Sequence, residues 1–326
     1  MSASRLGCCA KDYELNWVLL PTEGTMGTRV GVVGLGIMGG AMARNLAAAG
    51  WEVFGFDTDR RRQSVLAEHG VQSTASAAEL VDRAEIIITS LPTPNAVHST
   101  MLPIAAAAGR KIVIETSTLS LEDKLEVKKV LDAARHTALD CPLSGTGAQA
   151  LVKDLVIYAS GDSEEIANLR LLFRGFAREL YYVGEYGNGS RMKFVANLLV
   201  AIHNVATAEA MVLAKRAGLD LHKVVESISG GAGASRIFDL RAPLMAEGRY
   251  EPATMKLSVW QKDLAIISKF ANDLNSPVPL LSATIPLYAA TIANGRGDED
   301  TAAVCTVLES MATSRRSDSG SRSSLP

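Results

Sequence analysis

The chain has 326 residues, 48% of them apolar and 21% charged, with 33 Lys and Arg against 35 Asp and Glu. That length suggests about two domains, and the composition supplies a core and excludes wholesale disorder. A net charge of −2 offers no basic field for nucleic acid. Despite a mean hydropathy of +0.14, no uninterrupted apolar run is long enough to predict a membrane span.

Residues 1–27 carry neither a helical nor a strand period and include Pro21 and Gly24. They read as a poorly ordered N-terminal extension, or as a start codon assigned too early, with Met26 just before the first strand. The apolar stretch there is short and follows Lys11, Asp12 and Glu14, so no secretory signal is expected. From residue 28 strands alternate with helices: strands at 28–33, 52–56, 85–90, 111–114 and 137–140, with a helix at 37–49 after the first. Two further strands are read at 155–159 and 181–183. This rhythm predicts a doubly wound, Rossmann-type α/β domain over residues 28–189. After Gly189 the strand signal stops. One long helical pattern covers 190–217, with Gly218 as its stop. Helical patterns continue at about 220–229, 235–246, 254–273, 277–294 and 301–312. The second part, 190–312, is therefore expected to be all-α and built on a long interdomain helix, with a ligand-holding cleft between the parts. The tail, 313–326, is rich in Ser and Arg and is expected to be disordered.

Four cysteines, Cys8, Cys9, Cys141 and Cys305, include no C-x-x-C pair. Neither a disulfide scaffold nor a metal site is expected, and this usage points to a reducing, cytoplasmic setting.

The first strand runs into Gly34-Leu35-Gly36-Ile37-Met38-Gly39. This is G-x-G-x-x-G between a strand and a helix, followed by a second strand, the context a dinucleotide site requires. Gly34 permits the tight turn, Gly36 lets backbone approach a pyrophosphate, and Gly39 lets helix and sheet pack closely. The pyrophosphate would meet free N–H groups at the helix N-terminus. The second strand ends in Asp57, placed to accept from the adenosine ribose hydroxyls, which favours NAD over NADP. Arg60, Arg61 and Arg62 follow and either contact a 2′-phosphate or form a solvated helix face.

Lys193 and Asn197 are four residues apart at the start of the long helix and share a face among Phe194, Val195, Leu198, Leu199 and Ile202. Asn204 falls near the same face. A lysine there is expensive unless paired or functional, and burial would lower its pKa toward proton transfer. The residues alone leave catalysis and a snorkelling lysine both open.

Four motifs in fixed order resemble the β-hydroxyacid dehydrogenase family. They are 34–39, then Asp140-Cys141-Pro142-Leu143-Ser144-Gly145, then Gly187-x-Gly189-x-x-x-Lys193-x-x-x-Asn197, then Lys262-Asp263-Leu264. The resemblance spans about residues 28–312 and implies an NAD(P)-dependent dehydrogenase or reductase acting on a short hydroxyacid or semialdehyde. It implies Lys193 as general acid/base and Asn197 as a substrate-orienting residue. Ser144 and Gly145 would hold the substrate carboxylate. Thr118 would contact the cofactor near its nicotinamide ribose, Leu91 and Pro92 would lie along it, and Lys262 would close over it. Asp263 is expected to be structural, Ser120 to cap the helix after Thr118, and Cys141 to be a packed small residue.

One departure concerns the substrate loop: Thr146 stands where the family usually has a second glycine, and would shrink the pocket or add a hydrogen bond. Substrates compatible with the resemblance include 3-hydroxyisobutyrate, glycerate or tartronate semialdehyde, and sugar acids, with phosphogluconate disfavoured by the short helical part. A homodimer or homotetramer is implied. The rival readings are an imine or carbonyl reductase of the same fold, which Lys193 argues against, and a catalytically silent dinucleotide-binding protein, which would have no need of Lys193, Asn197 and Ser144.

Overall fold

Strand β1 (Arg29–Val33) is buried from Val30 onward, as a central strand covered on both faces must be. It opens the computed structural model, which describes residues 28–313. Residues 1–27 and 314–326, read above as poorly ordered, lie outside the described residues, as do Cys8 and Cys9. Thr313, assigned above to the tail, closes the last helix.

After β1 come α1 (Ile37–Ala48), β2 (Glu52–Phe56), α2 (Arg60–Ala67), β3 (Gln72–Ser73), α3 (Ala77–Arg83) and β4 (Ile86–Thr89). Then follow α4 (Pro94–Ala105), β5 (Ile112–Glu115), α5 (Leu121–Ala133) and β6 (Thr137–Asp140). The strands form one sheet in the order β3-β2-β1-β4-β5-β6, every pair parallel. The order reverses between β1 and β4, which opens a crevice at their C-terminal ends. Helices on both faces bury two apolar clusters, one around Val32, Ile88, Met42 and Leu46, the other around Ile87, Val113, Leu80 and Val127.

The chain continues through β7 (Leu143–Ser144), α6 (Gly147–Leu151), β8 (Val156–Ala159), α7 (Ser163–Asn168), α8 (Arg170–Phe176) and β9 (Glu179–Tyr182). These strands form a small sheet, β7-β8-β9, antiparallel then parallel. A bridge between Asp140 and Ser160 ties it to β6.

The rest is helical: α9 (Asn188–Arg216), α10 (Leu221–Ser229), α11 (Arg236–Glu247), α12 (Leu257–Asp273), α13 (Pro279–Thr291) and α14 (Val304–Thr313). By length and composition α9 is apolar enough to cross a membrane. In the fold it is instead the spine of a separate core, where its Phe194, Val205 and Met211 join Phe238, Trp260 and Tyr288. Strands β3 and β7, two residues each, are absent from the sequence reading because two residues carry no period. The helical pattern expected to run to about 294 continues past Thr291 in a wider turn and is interrupted at Gly295, whose φ of +82° no helix tolerates.

Candidate active site

The hexapeptide 34–39 joins β1 to α1 at the crevice. Gly34 has φ +89°, and a Cβ on it would strike the Ser90 carbonyl oxygen beyond β4. A Cβ on Gly39 would strike the Gly34 carbonyl oxygen, so α1 approaches the strand only because this residue is bare. Gly36 differs, because the nearest atom to a Cβ there would be Arg62 Nη1 at 3.6 Å. The protein's own packing does not demand glycine at 36. A diphosphate reaching the N–H groups that open α1 does, so the cradle fits a dinucleotide. Leu35 is buried, Met38 packs against the core, and Ile37 stands exposed at the start of α1.

Asp57 follows β2 and is buried beside this loop. Its Oδ2 accepts from Leu35 N at 2.8 Å and Arg62 Nη1 at 3.2 Å, and its Oδ1 accepts from Asp59 N at 2.8 Å. Arg61 is turned to Asp59. Across the crevice, Leu91 N donates to Ser117 Oγ at 2.9 Å and the Leu91 side chain lies against Gly34. Pro92 beside it is exposed. Ser120, as expected, caps α5 by accepting from Asp123 N.

Ser144, Gly145, Thr146, Lys193 and Asn197 line one cavity of about 740 Å³ between the loop joining β7 to α6 and the face of α9. Lys193 is 8% exposed. Burial pulls its amine down to about 8, with Asp263 drawing it up and Lys262 adding to the fall. Asp263 is buried too, and its Oδ2 accepts from Asn197 Nδ2 at 3.1 Å. Burial pushes the Asp263 carboxyl up, against the pull of Lys262 and Lys193. Lys262 Nζ lies 3.5 Å from Asp263 Oδ1 and donates to the Thr118 carbonyl at 2.6 Å. Thr118 and Lys262 therefore meet, and α12 is tied to the loop after β5.

Asp263 is the residue whose place the sequence reading misses. It was expected to be structural, and the Lys262-Asp263-Leu264 motif is the one signal that pointed to it, but nothing in that motif pointed to Asn197 as its partner. Asn204, expected near the same face, lines the same cavity, deeper toward the helical core. It donates to Tyr288 Oη at 3.0 Å and to the Thr301 carbonyl at 2.9 Å, inside the helical core. Thr146 has its hydroxyl engaged as the cap of α6, in a reciprocal capping box with Gln149. Next to it, a Cβ on Gly147 would strike Ile37 Cγ2, so the loop that carries Ser144 and Thr146 rests on the loop 34–39.

A buried ion cluster underlies both loops. Lys124 is wholly buried, paired with Glu115 Oε2 and, at 2.9 Å, with Asp140 Oδ1. Glu115 ends β5 and accepts from Ser117 N at 2.9 Å. Asp140 ends β6 and accepts from Ser190 N at 2.8 Å and Ser190 Oγ at 2.9 Å, in the first turn of α9. One lysine thus joins the cofactor-side loop, the start of the substrate loop and the helix that carries Lys193. Cys141 beside it is fully buried, and burial puts its thiol well above the ordinary value, which suits packing.

Residues 29–184 match the family model of the NAD binding domain of 6-phosphogluconate dehydrogenase. Residues 187–308 match that of the NAD-binding of NADP-dependent 3-hydroxyisobutyrate dehydrogenase. An L-threonate dehydrogenase of Pectobacterium atrosepticum is 28% identical over 288 residues, 86% of this chain and 94% of that one. The structure of Mycobacterium tuberculosis 3-hydroxyisobutyrate dehydrogenase with L-serine is 30% identical, with TM-score 0.78 over 86% of this chain and 99% of that one. The crystal structure of 3-hydroxyisobutyrate dehydrogenase from Salmonella typhimurium is 29% identical, also with TM-score 0.78 over 86% and 99%.

Proposed function

The chain belongs to the β-hydroxyacid dehydrogenase family, and from that premise we propose that it oxidises or reduces a short hydroxyacid with Lys193 as general acid/base. The observation that carries this reading is the Lys193 amine, buried in the wall of the cavity with its basicity lowered to about 8. A lysine so placed changes protonation near neutral pH, as a proton-transfer group must.

In oxidation, neutral Lys193 takes the proton of the substrate hydroxyl. In reduction, protonated Lys193 returns it to the same oxygen. Asp263 fixes Asn197 by accepting from Nδ2, which leaves Asn197 Oδ1 to orient that hydroxyl. Ser144 Oγ and Gly145 N–H hold the carboxylate. Gly34, Gly36 and Gly39 with Asp57 and Leu91 hold the dinucleotide, which when bound supplies the hydride acceptor or donor. The Lys262 link to Thr118 ties the helical part to the loop after β5, and would help to exclude water once cofactor and substrate are bound.

NAD is the preferred cofactor in this reading. In support, Asp57 puts a buried carboxylate at the end of β2 beside the loop 34–39, and the guanidiniums of Arg61 and Arg62 already have carboxylate partners in Asp59 and Asp57. A homo-oligomer and a cytoplasmic setting complete the proposal. They are supported by exposed Val195 and Leu213 on α9 and by the buried free thiols of Cys141 and Cys305.

The test is absorbance at 340 nm with a panel of 3-hydroxyacids and aldonates, NAD and NADP in parallel. Turnover on at least one acid is expected, with higher kcat/KM for NAD. Lys193→Ala is expected to lower kcat by at least about 100-fold while leaving cofactor binding intact. Near wild-type turnover in that variant removes Lys193 from the role.

A further inference from the structure

The cavity does not stop at Lys193. Along α9 it is lined by Lys193, Ala196, Val200, His203 and Asn204, which recur at three or four residues and so form one face of the helix. From the first to the last the helix rises about 16 Å. The Lys193 end lies by the α/β part, where Asp140 holds the first turn of α9. The other end lies in the helical core, where Asn204 donates to Tyr288 Oη and the Thr301 carbonyl. One cavity therefore runs from the proposed reacting centre into the second part of the molecule.

Much of its remaining wall is apolar. Ile237 and Leu240 of α11 line it, with Met255 just before α12 and Trp260 on that helix. The charges away from Lys193 are matched. Arg241, 4% exposed, pairs with Asp300 at 3.2 Å. Arg178 and Arg236 share Asp154, at 2.8 and 3.1 Å, and Arg178 also reaches Glu179 at 3.4 Å. Hydrogen bonds from Gln149 and then Arg178 hold the Asp154 carboxyl below its ordinary value, so these pairs persist at neutral pH. Beyond Lys193 the wall thus offers apolar surface and no unmatched arginine. A volume of about 740 Å³ is that of a site for a drug-sized ligand, and a four-carbon acid would fill one end of it.

Resting on the function proposed above, we infer that the hydroxyacid carries a neutral, mainly apolar arm, which lies along α9 from Lys193 toward Asn204. Val200 and Leu240 are then specificity-determining residues, one on each flanking helix. Burying such an arm favours binding roughly fourfold per methylene. An ionised arm would lose its hydration and find no free counter-charge.

Two substrate series test this, 3-hydroxyacids lengthened by one to four methylenes at C3 from 3-hydroxybutyrate, or at C2 from 3-hydroxyisobutyrate. In at least one series the longest member is expected to have at least about tenfold higher kcat/KM than the shortest. Leu240→Trp, and separately Val200→Phe, are expected to bring that ratio to near one. Each ratio compares two substrates in one protein, so a partial loss of folded enzyme cancels. The same long arm ended in a carboxylate is expected to lose the gain. Flat efficiency in both series, a ratio that survives both variants, or an ionised arm that gains as much as the apolar one overturns the inference. Calorimetry with butyrate and octanoate, NAD present, separates the arm from the reaction. Octanoate binding at least about tenfold tighter, lost in Leu240→Trp, supports the arm site even if no hydroxyacid turns over. Equal binding of the two acids, or a preference untouched by Leu240→Trp, overturns it even if turnover is found.

Discussion

Lys193 stands in a nearly closed wall with its amine pulled down to about 8, chiefly by burial. Two consequences follow at this single residue. The first concerns rate. In the proposed mechanism the neutral amine above that pH would serve oxidation, and the ammonium below it would serve reduction. Oxidation kcat is expected to rise with pH and level off above about 8, while reduction kcat falls across the same interval. Steady-state pH profiles in both directions check this, and flat profiles would exclude the lysine. The second concerns stability. The folded value lies below the ordinary 10.5, so between about 8 and 10.5 the unfolded chain binds more protons and this residue's contribution to stability rises. At pH 7 the buried charge is a penalty on the order of 1–3 kcal/mol after its attraction to Asp263. Lys193→Met is expected to be inactive yet more stable by about that amount, as read from denaturant titrations at pH 7, and to lose the rise at higher pH. Lys193 and Asn197 were legible in the sequence because their spacing puts them on one helical face in an apolar stretch. Asp263 was not, since its partner lies 66 residues away and only folding buries the pair.

Among the elements, the first turn of α9 decides where Lys193 sits. Asp140 grips that turn through the Ser190 amide and hydroxyl, and Lys124 holds Asp140 to Glu115. Nothing in the sequence announced this. Lys124 lies in Leu121-Glu122-Asp123-Lys124-Leu125-Glu126, which reads as an ordinary solvated helix face. Its burial follows from packing on β5 and β6. Removing one member of a buried ion cluster typically costs about 3–5 kcal/mol, and Lys124→Met is expected to lose that much. Ser190→Ala keeps the amide bond and the fold. It is expected to lower kcat by about 10- to 100-fold through misplacement of the helix start, with cofactor Kd unchanged. An unaltered kcat in Ser190→Ala would limit the cluster to stability. The long alternating and helical patterns were readable because period and length survive translation into structure. The two-residue strands β3 and β7 have neither.

Taken whole, the molecule is an α/β part and a helical part joined by α9 and faced across one cavity. That division was visible in the switch from alternating to purely helical patterns near Gly189, while the closeness of the two loops at the cavity was not. Along α9 the side chains of Val195 and Leu213 remain exposed, and an apolar stripe on so long a helix favours a second copy of the chain. Light scattering is expected to give a multiple of 34.6 kDa. Val195→Asp with Leu213→Asp is expected to shift it toward the single chain, and an unshifted monomer mass in the unaltered protein would refute the stripe as an interface.

The contact of Gly147 with Ile37 bears on how such a protein can be redesigned. The segment proposed to recognise the acid and the segment proposed to recognise the dinucleotide meet where Ile37 lies against the bare Cα of Gly147. A larger side chain at 147 would have to displace Ile37, so changes in substrate preference and in cofactor preference are expected to travel together at this seam.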